Sequence, residues 1–399
     1  MGTEGAPVRV AIACQGGGSH TAFTAGVLGR LLRPGNLGGR EVVGLSGTSG
    51  GAICALLAWS ALCAGDPGRA ERLLDEFWAD NSATTPAEQW LNALVGWTEA
   101  LADVVALPAV SPYDTPFTLA VQAQLRAMIE RRVDFAAVRP DPDARLPLLE
   151  IGAVDVRSGA FRTFDSRYEA ITVDMILASA AIRTIFRAVE VDGQLYWDGL
   201  FSQNPPVKDL TDASPDELWV IQINPTSDPE EPRSLVEIAD RRNELSGNLS
   251  LFQELRAIEK INQLLERGLL TGGGYKPIVV RIIELDKPLG YASKLDRDPA
   301  FIRALLEYGR ARADDFLAAL ALEAAWRRGD SRALRAAGLD DEVARRLCGE
   351  IVVDLTRHQM AGDTVVWNLR ERDGDRSWRA EASFSGGRLI RLELAPAAR

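Results

Sequence analysis

With 399 residues, of which 46% are hydrophobic, the chain is long enough for one large α/β domain and a smaller unit. Its 56 acidic and 45 basic side chains give a net charge of −11, which argues against a nucleic-acid partner and against strong electrostatic docking on anionic membranes. No apolar stretch approaches the about 18 residues of a transmembrane helix, and the N-terminus lacks the basic region of a signal peptide.

The four cysteines stand at positions 14, 54, 63 and 348 and show no metal-ligand spacing. Three of them lie in apolar segments, which indicates buried thiols rather than disulfides. We therefore expect a cytoplasmic protein.

A glycine-rich turn follows the first predicted strand, Val8–Cys14. Gly16, Gly17 and Gly18 stand directly before a helical pattern, so their backbone N–H groups are open to a negative charge. A P-loop would end in Gly-Lys-Ser/Thr, and no lysine is near. A dinucleotide-binding turn would need glycine where Thr21 stands. The loop therefore predicts an oxyanion hole.

The second predicted strand, residues 41–46, runs into a Gly-x-Ser-x-Gly turn. Gly47 and Gly51 flank Ser49, and an apolar helix pattern begins at residue 52. This strand–turn–helix pattern, a nucleophile elbow, forces the serine into strained backbone geometry that only small neighbours permit. Its hydroxyl would stand clear of the sheet, beside amides at a helix N-terminus. Ser49 is thus a candidate nucleophile.

Residues 86–116 form an irregular, apolar insertion after the elbow helix. A helical lid that covers the serine and contacts acyl chains is one interpretation. A helix packed on the sheet is the other, and the residues favour neither.

Strand and helix patterns then alternate as far as about residue 285, which predicts a mostly parallel sheet with helices on both faces. A capping box at Ser250 and Gln253 predicts the start of a helix over residues 251–265. The other predicted strands of this part are residues 148–156 and 160–164, which form a hairpin, and residues 217–223 and 278–283.

Asp198 and Gly199 follow another short strand pattern. An Asp-Gly pair on its own usually marks a turn, but beside a serine elbow the aspartate becomes a candidate base. The two histidines are His20, in the glycine loop, and His358, beyond the expected catalytic domain. A serine activated directly by a carboxylate is therefore the more economical hypothesis. Burial would have to raise the pKa of Asp198 for it to accept a proton near neutral pH.

The pattern changes after residue 286. Residues 299–328 predict a long helix that stops at Gly329. Three alternating segments separated by glycine turns then predict short antiparallel strands, at residues 364–370, 378–384 and 388–394.

Taken in this order, the motifs resemble those of the patatin-like phospholipases, lipid acyl hydrolases that use a Ser-Asp dyad. The resemblance covers roughly residues 8–285. It implies a three-layer α/β sandwich with a mostly parallel central sheet. The residues that carry it are the glycine loop, the elbow, the Asp198-Gly199 pair, the block Ala178-Ser179-Ala180-Ala181-Ile182, and Asn204-Pro205.

The resemblance implies roles for these residues. Ser49 would be the nucleophile and Asp198 the base, and the amides of Gly17 and Gly18, in the loop that Gly16 opens, would be the oxyanion donors. The implied reaction is hydrolysis of a lipid ester, with no metal and no organic cofactor, during transient contact with a membrane surface. Phospholipid, lysophospholipid and neutral glyceride all remain open as substrates.

The expected organisation has three parts. A catalytic domain spans residues 8–290, a helical connection residues 291–328, and a small α+β module residues 329–399. The last resembles in outline the cone-shaped fold of the nuclear-transport-factor and polyketide-cyclase families. Its strands offer a surface for a partner or for a homo-oligomer.

Two other function classes stay open. His20 stands where the family usually has Arg or Lys, and Leu200 stands where it has Gly or Ala, so the chain could be a catalytically weak lipid-binding or regulatory protein on a hydrolase scaffold. An α/β-hydrolase with a triad of Ser49, Asp198 and His358 has the right order of residues. That fold usually places its elbow after several strands, however, and here it follows the second.

Overall fold

The computed structural model describes the chain from residue 6 onward. The described ranges are 6–86, 88–90, 92, 111–115, 117–183, 185–227, 231–233, 235–271, 273–287, 289–349, 351–361, 364–371 and 377–396. Residues 93–110, the interior of the apolar insertion considered as a lid, lie outside them.

The strands within these ranges alternate with helices in the first part of the chain and follow one another at its end. They are β1 (Val8–Cys14), β2 (Arg40–Thr48), β3 (Leu148–Asp155), β4 (Phe161–Asp165), β5 (Val189–Val191), β6 (Gln194–Asp198), β7 (Glu217–Gln222), β8 (Val279–Glu284), β9 (Ile351–Ala361), β10 (Thr364–Glu371), β11 (Ser377–Ser385) and β12 (Arg388–Pro396).

The α-helices pack on the two faces of the sheet and on one another. They are α1 (Thr21–Leu31), α2 (Gly50–Cys63), α3 (Arg69–Asn81), α4 (Phe117–Glu130), α5 (Val173–Ser179), α6 (Leu235–Glu266), α7 (Pro299–Arg327), α8 (Ser331–Ala336) and α9 (Asp341–Gly349). Short 3₁₀ turns lie at Gly18–His20, Gly199–Phe201, Asp209–Ala213 and Tyr291–Lys294, and the described residues between 86 and 92 are helical as well.

All of these strands belong to one sheet, in the order β12-β11-β10-β9-β8-β7-β1-β2-β3-β6-β5, with β4 beside β3. The six central strands, β9 to β3 in that order, are parallel. Helical crossovers allow the parallel pairing, whereas the strands at both flanks pair antiparallel. The predicted α/β fold with a mostly parallel central sheet is confirmed.

Alternation along β1 shows why the sheet is covered on both faces. Val10 and Ile12 belong to one buried cluster, together with apolar residues of α1, α2 and α7. Ala11 and Ala13 belong to a second cluster, which includes Leu251 of α6. Successive strand residues point to opposite faces, so a run without polar residues must be buried on both sides.

Several predicted elements are confirmed within a residue or two. The hairpin of residues 148–164 is formed by β3 and β4, which pair antiparallel. The long helix and the late antiparallel strands are α7 and β10 to β12. The predicted helix start at Ser250 is wrong, because α6 begins at Leu235 and Ser250 lies inside it. The earlier turns of α6 are stabilised by buried contacts, including a salt bridge from Glu244 to Lys294 at 2.8 Å.

The C-terminal strands extend the central sheet, because β9 pairs in parallel with β8. Arg281 on β8, fully buried, donates to Glu217 on β7 (2.9 Å) and to Glu323 on α7 (2.8 Å). Trp367 on β10 donates to Glu323 as well (3.3 Å). A buried polar cluster thus links the late strands to the parallel part of the sheet, and the division at residues 290 and 328 stays a prediction.

No helix of the described residues is both long enough and apolar enough to cross a membrane. The four cysteines are free thiols, and Cys14 and Cys54 are buried in the core.

Candidate active site

Ser49 occupies a sharp turn between β2 and α2. Its backbone angles are φ 58° and ψ −131°, in the region that favours glycine. The turn closes only with small neighbours: a Cβ at Gly47 would lie 2.5 Å from the carbonyl oxygen of Gly51, and a Cβ at Gly51 would lie 2.3 Å from that of Cys14. The strained backbone angles of Ser49 are maintained because backbone segments pack closely against each other on both sides of it.

The amide of Ser49 is held from outside the turn. It donates to the hydroxyl of Ser179 at 2.9 Å, and Ser179, the last residue of α5, is fully buried. The Ala-Ser-x-Ala block therefore anchors the elbow, a role that the sequence did not indicate.

Asp198 ends β6 next to the elbow and is 1% exposed. Its Oδ1 accepts a hydrogen bond from the amide of Leu200 at 2.9 Å, and its own amide donates to the carbonyl of Ala181. Oδ2 is buried and has no hydrogen-bond partner among the described residues. The close turn at Gly199 leaves little room for a side chain, since a Cβ there would lie 3.0 Å from the carbonyl oxygen of Gly152.

Burial raises the pKa of Asp198 from 3.8 to about 7, although the Ser49 side chain and the Leu200 amide partly lower it. The serine hydroxyl therefore lies close enough to affect the carboxylate. The two side chains do not form a hydrogen bond of full geometry among the described residues. Such contacts are often loose before substrate binds. A carboxylate with this pKa is a base near neutral pH.

The glycine loop lies against the elbow and is fixed by one asparagine. The amide of Gly16 donates to Asn204 Oδ1 at 2.6 Å, and Asn204 Nδ2 donates back to the Gly16 carbonyl at 3.1 Å. Within the described residues, the amides of Gly17 and Gly18 have no such acceptor. The Gly16 amide is thus committed to Asn204, and the role of oxyanion donor stays a prediction for Gly17 and Gly18.

Gly18 adopts a φ of 59° and touches the 3₁₀ turn Tyr291–Lys294. A Cβ at this position would lie 2.2 Å from the carbonyl oxygen of Lys294. The loop therefore requires glycine here for its backbone angle and for its packing.

His20 is held by a hydrogen bond to Ser293, a residue of the same 3₁₀ turn. Its Nε2 lies 2.7 Å from Ser293 Oγ, and that hydroxyl donates to the carbonyl of Gly290, so the imidazole nitrogen is the donor. Burial and the nearby Lys294 ammonium lower the pKa of His20 to about 3. Because His20 is neutral and its Nε2 already donates to Ser293, its role is to hold the structure and not to carry a proton in the reaction.

His358 lies on β9, where it pairs in register with Arg281 of β8. Four strand spacings separate β9 from β2, which is about 19 Å at the usual distance between neighbouring strands. The sheet therefore keeps His358 away from the elbow.

A cavity of about 280 Å³ opens onto Ser49 and Gly18. Most of its wall is apolar, and it is supplied by α2, α3, α4 and the segment after α5. Asn81, Glu88, Lys294 and Arg297 contribute polar groups. The apolar side chains include Ile53, Phe77, Trp78, Leu125, Met128 and Phe186.

The glycine loop, the elbow and Asp198 all lie within the residues that match one family model. Residues 12–211 match the model of the patatin-like phospholipases, which is half of the chain. The chain belongs to the patatin-like phospholipase family. As a member of this family, it is related to lipid acyl hydrolases.

Two solved structures are similar to this patatin-like protein at low identity. VipD from Legionella pneumophila is 11% identical, with a TM-score of 0.32, and the alignment covers 86% of this chain and 83% of that one. The ExoU–SpcU complex from the type III secretion system of Pseudomonas aeruginosa is 14% identical, with a TM-score of 0.26 and coverage of 86% and 65%. A search of curated proteins found no match.

Proposed function

We propose that this patatin-like protein hydrolyses carboxylic ester bonds of lipids, with Ser49 as the nucleophile and Asp198 as the general base. The proposal rests above all on the pairing of a serine at φ 58° with a buried carboxylate whose pKa is about 7. Strained backbone presents the hydroxyl, and a raised pKa makes the carboxylate basic enough to take its proton.

The reaction proceeds by two acyl transfers. Asp198 takes the proton of Ser49 as Oγ attacks the carbonyl carbon, and the carbonyl oxygen becomes an oxyanion. The amides of Gly17 and Gly18 stabilise this charge, at about 3 kcal/mol for each well-placed donor. Asp198 then returns the proton to the leaving alcohol. Water attacks the acyl-enzyme in the same way and gives a proton to Asp198. The bond to Ser49 Oγ then breaks, the fatty acid is released, and Asp198 returns the proton to Ser49 Oγ.

The apolar cavity favours a substrate whose acyl group is a long hydrocarbon chain. Its wall of aliphatic and aromatic side chains would hold a hydrocarbon chain without leaving polar groups unpaired. Lys294 and Arg297 lie in the same wall, each paired with a carboxylate, Glu244 at 2.8 Å and Glu88 at 3.9 Å, so the polar part of the lipid would meet ion-paired groups.

Substrates of this kind reside in membranes, so the protein would contact a lipid surface transiently. Trp90 is 67% exposed and stands between Glu88 and Asn92, both of which line the cavity. An exposed indole on the outer side of the helical turn that lines the cavity suits the boundary between water and lipid.

The test is a hydrolysis assay on a panel of lipids, with released fatty acid as the readout. Wild type should release fatty acid, and Ser49→Ala should not. Ser60→Ala is a matched control, because among the described residues its hydroxyl bonds only to the Leu57 carbonyl within α2. A fluorophosphonate probe should label wild type and Ser60→Ala, and fail on Ser49→Ala.

The same probe separates hydrolysis from lipid binding without turnover. Labelling that depends on Ser49 indicates an activated nucleophile. A folded protein that binds lipid, releases no fatty acid and takes no label would be the regulatory alternative.

A further inference from the structure

The strand β12 forms an open edge of the sheet. It pairs with β11 on one side and is the last strand in the sheet order, so no described strand covers its other side. Before the strand begins, the amide of Gly387 donates to Asp315 of α7 at 2.7 Å, which fixes the position of the edge. Within the part of the chain that the structure describes, the outward backbone groups of this nine-residue edge have no strand partner, and such an edge is a template for another strand.

The two faces of β12 differ. Leu389, Leu392 and Leu394 are half-buried and pack against the core, whereas Ile390 is 66% exposed. The strand therefore has one face already committed to this chain, while its hydrogen-bonding edge and its outer face are available.

The charges along β12 make the strand complementary to itself. Arg391 and Glu393 are more than half exposed and form an ion pair within the strand. If two copies pair antiparallel around a two-fold axis at Leu392, each Arg391 stands opposite the other copy's Glu393. Opposite charges directly across an antiparallel pair stabilise it, by about 0.2–1 kcal/mol each.

The same charges disfavour the neighbouring registers. An axis at Arg391 would set the two arginines opposite each other, and an axis at Glu393 would do the same to the two glutamates. Like charges directly opposite are destabilising. A shift of one residue in either direction would pair each charge with an apolar residue, Leu392, Leu394 or Ile390. Only the register centred on Leu392 pairs both charges favourably.

We propose that β12 is the interface of a homodimer in which two copies of this chain form one continuous sheet through their β12 edges. Backbone hydrogen bonds hold the strands together, and Arg391 and Glu393 select the register. Because a two-fold pairing uses the β12 edge of both copies, this interface closes at a dimer. The proposal deepens the expectation of a homo-oligomer through the C-terminal strands and is independent of the proposed chemistry.

A charge swap tests the interface, with sedimentation equilibrium of the full chain as the measurement. Wild type should be a dimer. Arg391→Glu and Glu393→Arg should each weaken it by about tenfold or more, because each puts two like-charge pairs across the axis. The double variant Arg391→Glu/Glu393→Arg should recover the wild-type dissociation constant. The far-UV circular dichroism of every variant should match wild type, since both side chains are exposed, while the monomeric variants should melt at a lower temperature because they lose the stabilisation that dimerisation supplies.

Mixing the two single variants gives a second, independent result. One chain then has two acidic groups at these positions and the other has two basic groups, so a mixed dimer should form where each alone is largely monomeric. A monomeric wild type, a dimer that the single changes leave intact, or a double variant as weak as the singles would overturn the proposal.

Discussion

The hydroxyl of Ser179 accepts a hydrogen bond from the amide of Ser49 at 2.9 Å, so the last residue of α5 holds the strained turn that presents the candidate nucleophile. The two serines are 130 positions apart in the chain. Because both groups are buried, loss of the acceptor would leave an amide without a partner at the most strained residue of the site.

Ser179→Ala should therefore lower turnover more than it lowers substrate binding. An unsatisfied buried amide costs about 1–3 kcal/mol, and the elbow would relax from its strained geometry. We expect kcat to fall by about tenfold or more with a small change in KM, and fluorophosphonate labelling to slow in parallel. Ser202→Ala is the control, because the hydrogen bond of that hydroxyl within the described residues goes to the Gly199 carbonyl and not to the elbow. Unchanged kcat in Ser179→Ala would contradict the anchoring role.

Ser49→Ala and Asp198→Asn should each abolish ester hydrolysis, and the double variant should be little worse than either. The nucleophile and the base take part in the same proton transfer, so the rate losses caused by the two substitutions do not add. The measurement is the rate of fatty acid release for the three variants against wild type. If Asp198→Asn kept a tenth or more of the activity, the assignment of Asp198 as the base would fail.

The rate of hydrolysis should rise with pH through about 7. The pKa of Asp198 is about 7, and only its ionised form takes the serine proton. The check is kcat/KM for a soluble ester between pH 5 and pH 9, with a plateau expected above the pKa. A profile that is flat across this range would contradict the assignment of Asp198 as the base.

Folding stability should change with pH in the opposite direction. The folded pKa of Asp198 lies above its unfolded value of 3.8, so between these values the folded state binds the extra proton and stability falls as pH rises. The loss is on the order of 4 kcal/mol between acid and mildly alkaline pH. Asp198→Asn removes this ionisation and should melt at a higher temperature than wild type at pH 8, with a smaller difference at pH 5. Equal melting temperatures at pH 8 would show that burial does not penalise the carboxylate.

His358→Ala should leave turnover within a few fold of wild type. Its strand lies four places from β2 in the sheet, too far for a proton relay to Ser49. His20→Ala should reduce the rate moderately, because the bond to Ser293 fixes the segment against the glycine loop, yet fluorophosphonate labelling should persist. Should His358→Ala prove as inactive as Ser49→Ala, the Ser-His-Asp alternative would replace the dyad.

Local rules of backbone geometry made much of the site predictable from the sequence alone. Gly47, Ser49 and Gly51 predict an elbow because close packing of backbone against backbone admits little else at the flanking positions, and the structure has that turn. The parallel core of the sheet follows in the same way from apolar runs separated by helices.

Tertiary contacts decided what each of these groups does. The amide of Gly16 donates to the side chain of Asn204, 188 positions away, and the amide of Ser49 donates to the hydroxyl of Ser179. No local sequence pattern predicts hydrogen bonds between residues so far apart in the chain. The start of α6 at Leu235 depends on buried partners rather than on a capping box. The pKa of Asp198 likewise depends on burial, which the folded chain as a whole creates. Sequence thus determined which residues meet the steric demands of the turns, and packing determined their hydrogen bonds and their charge.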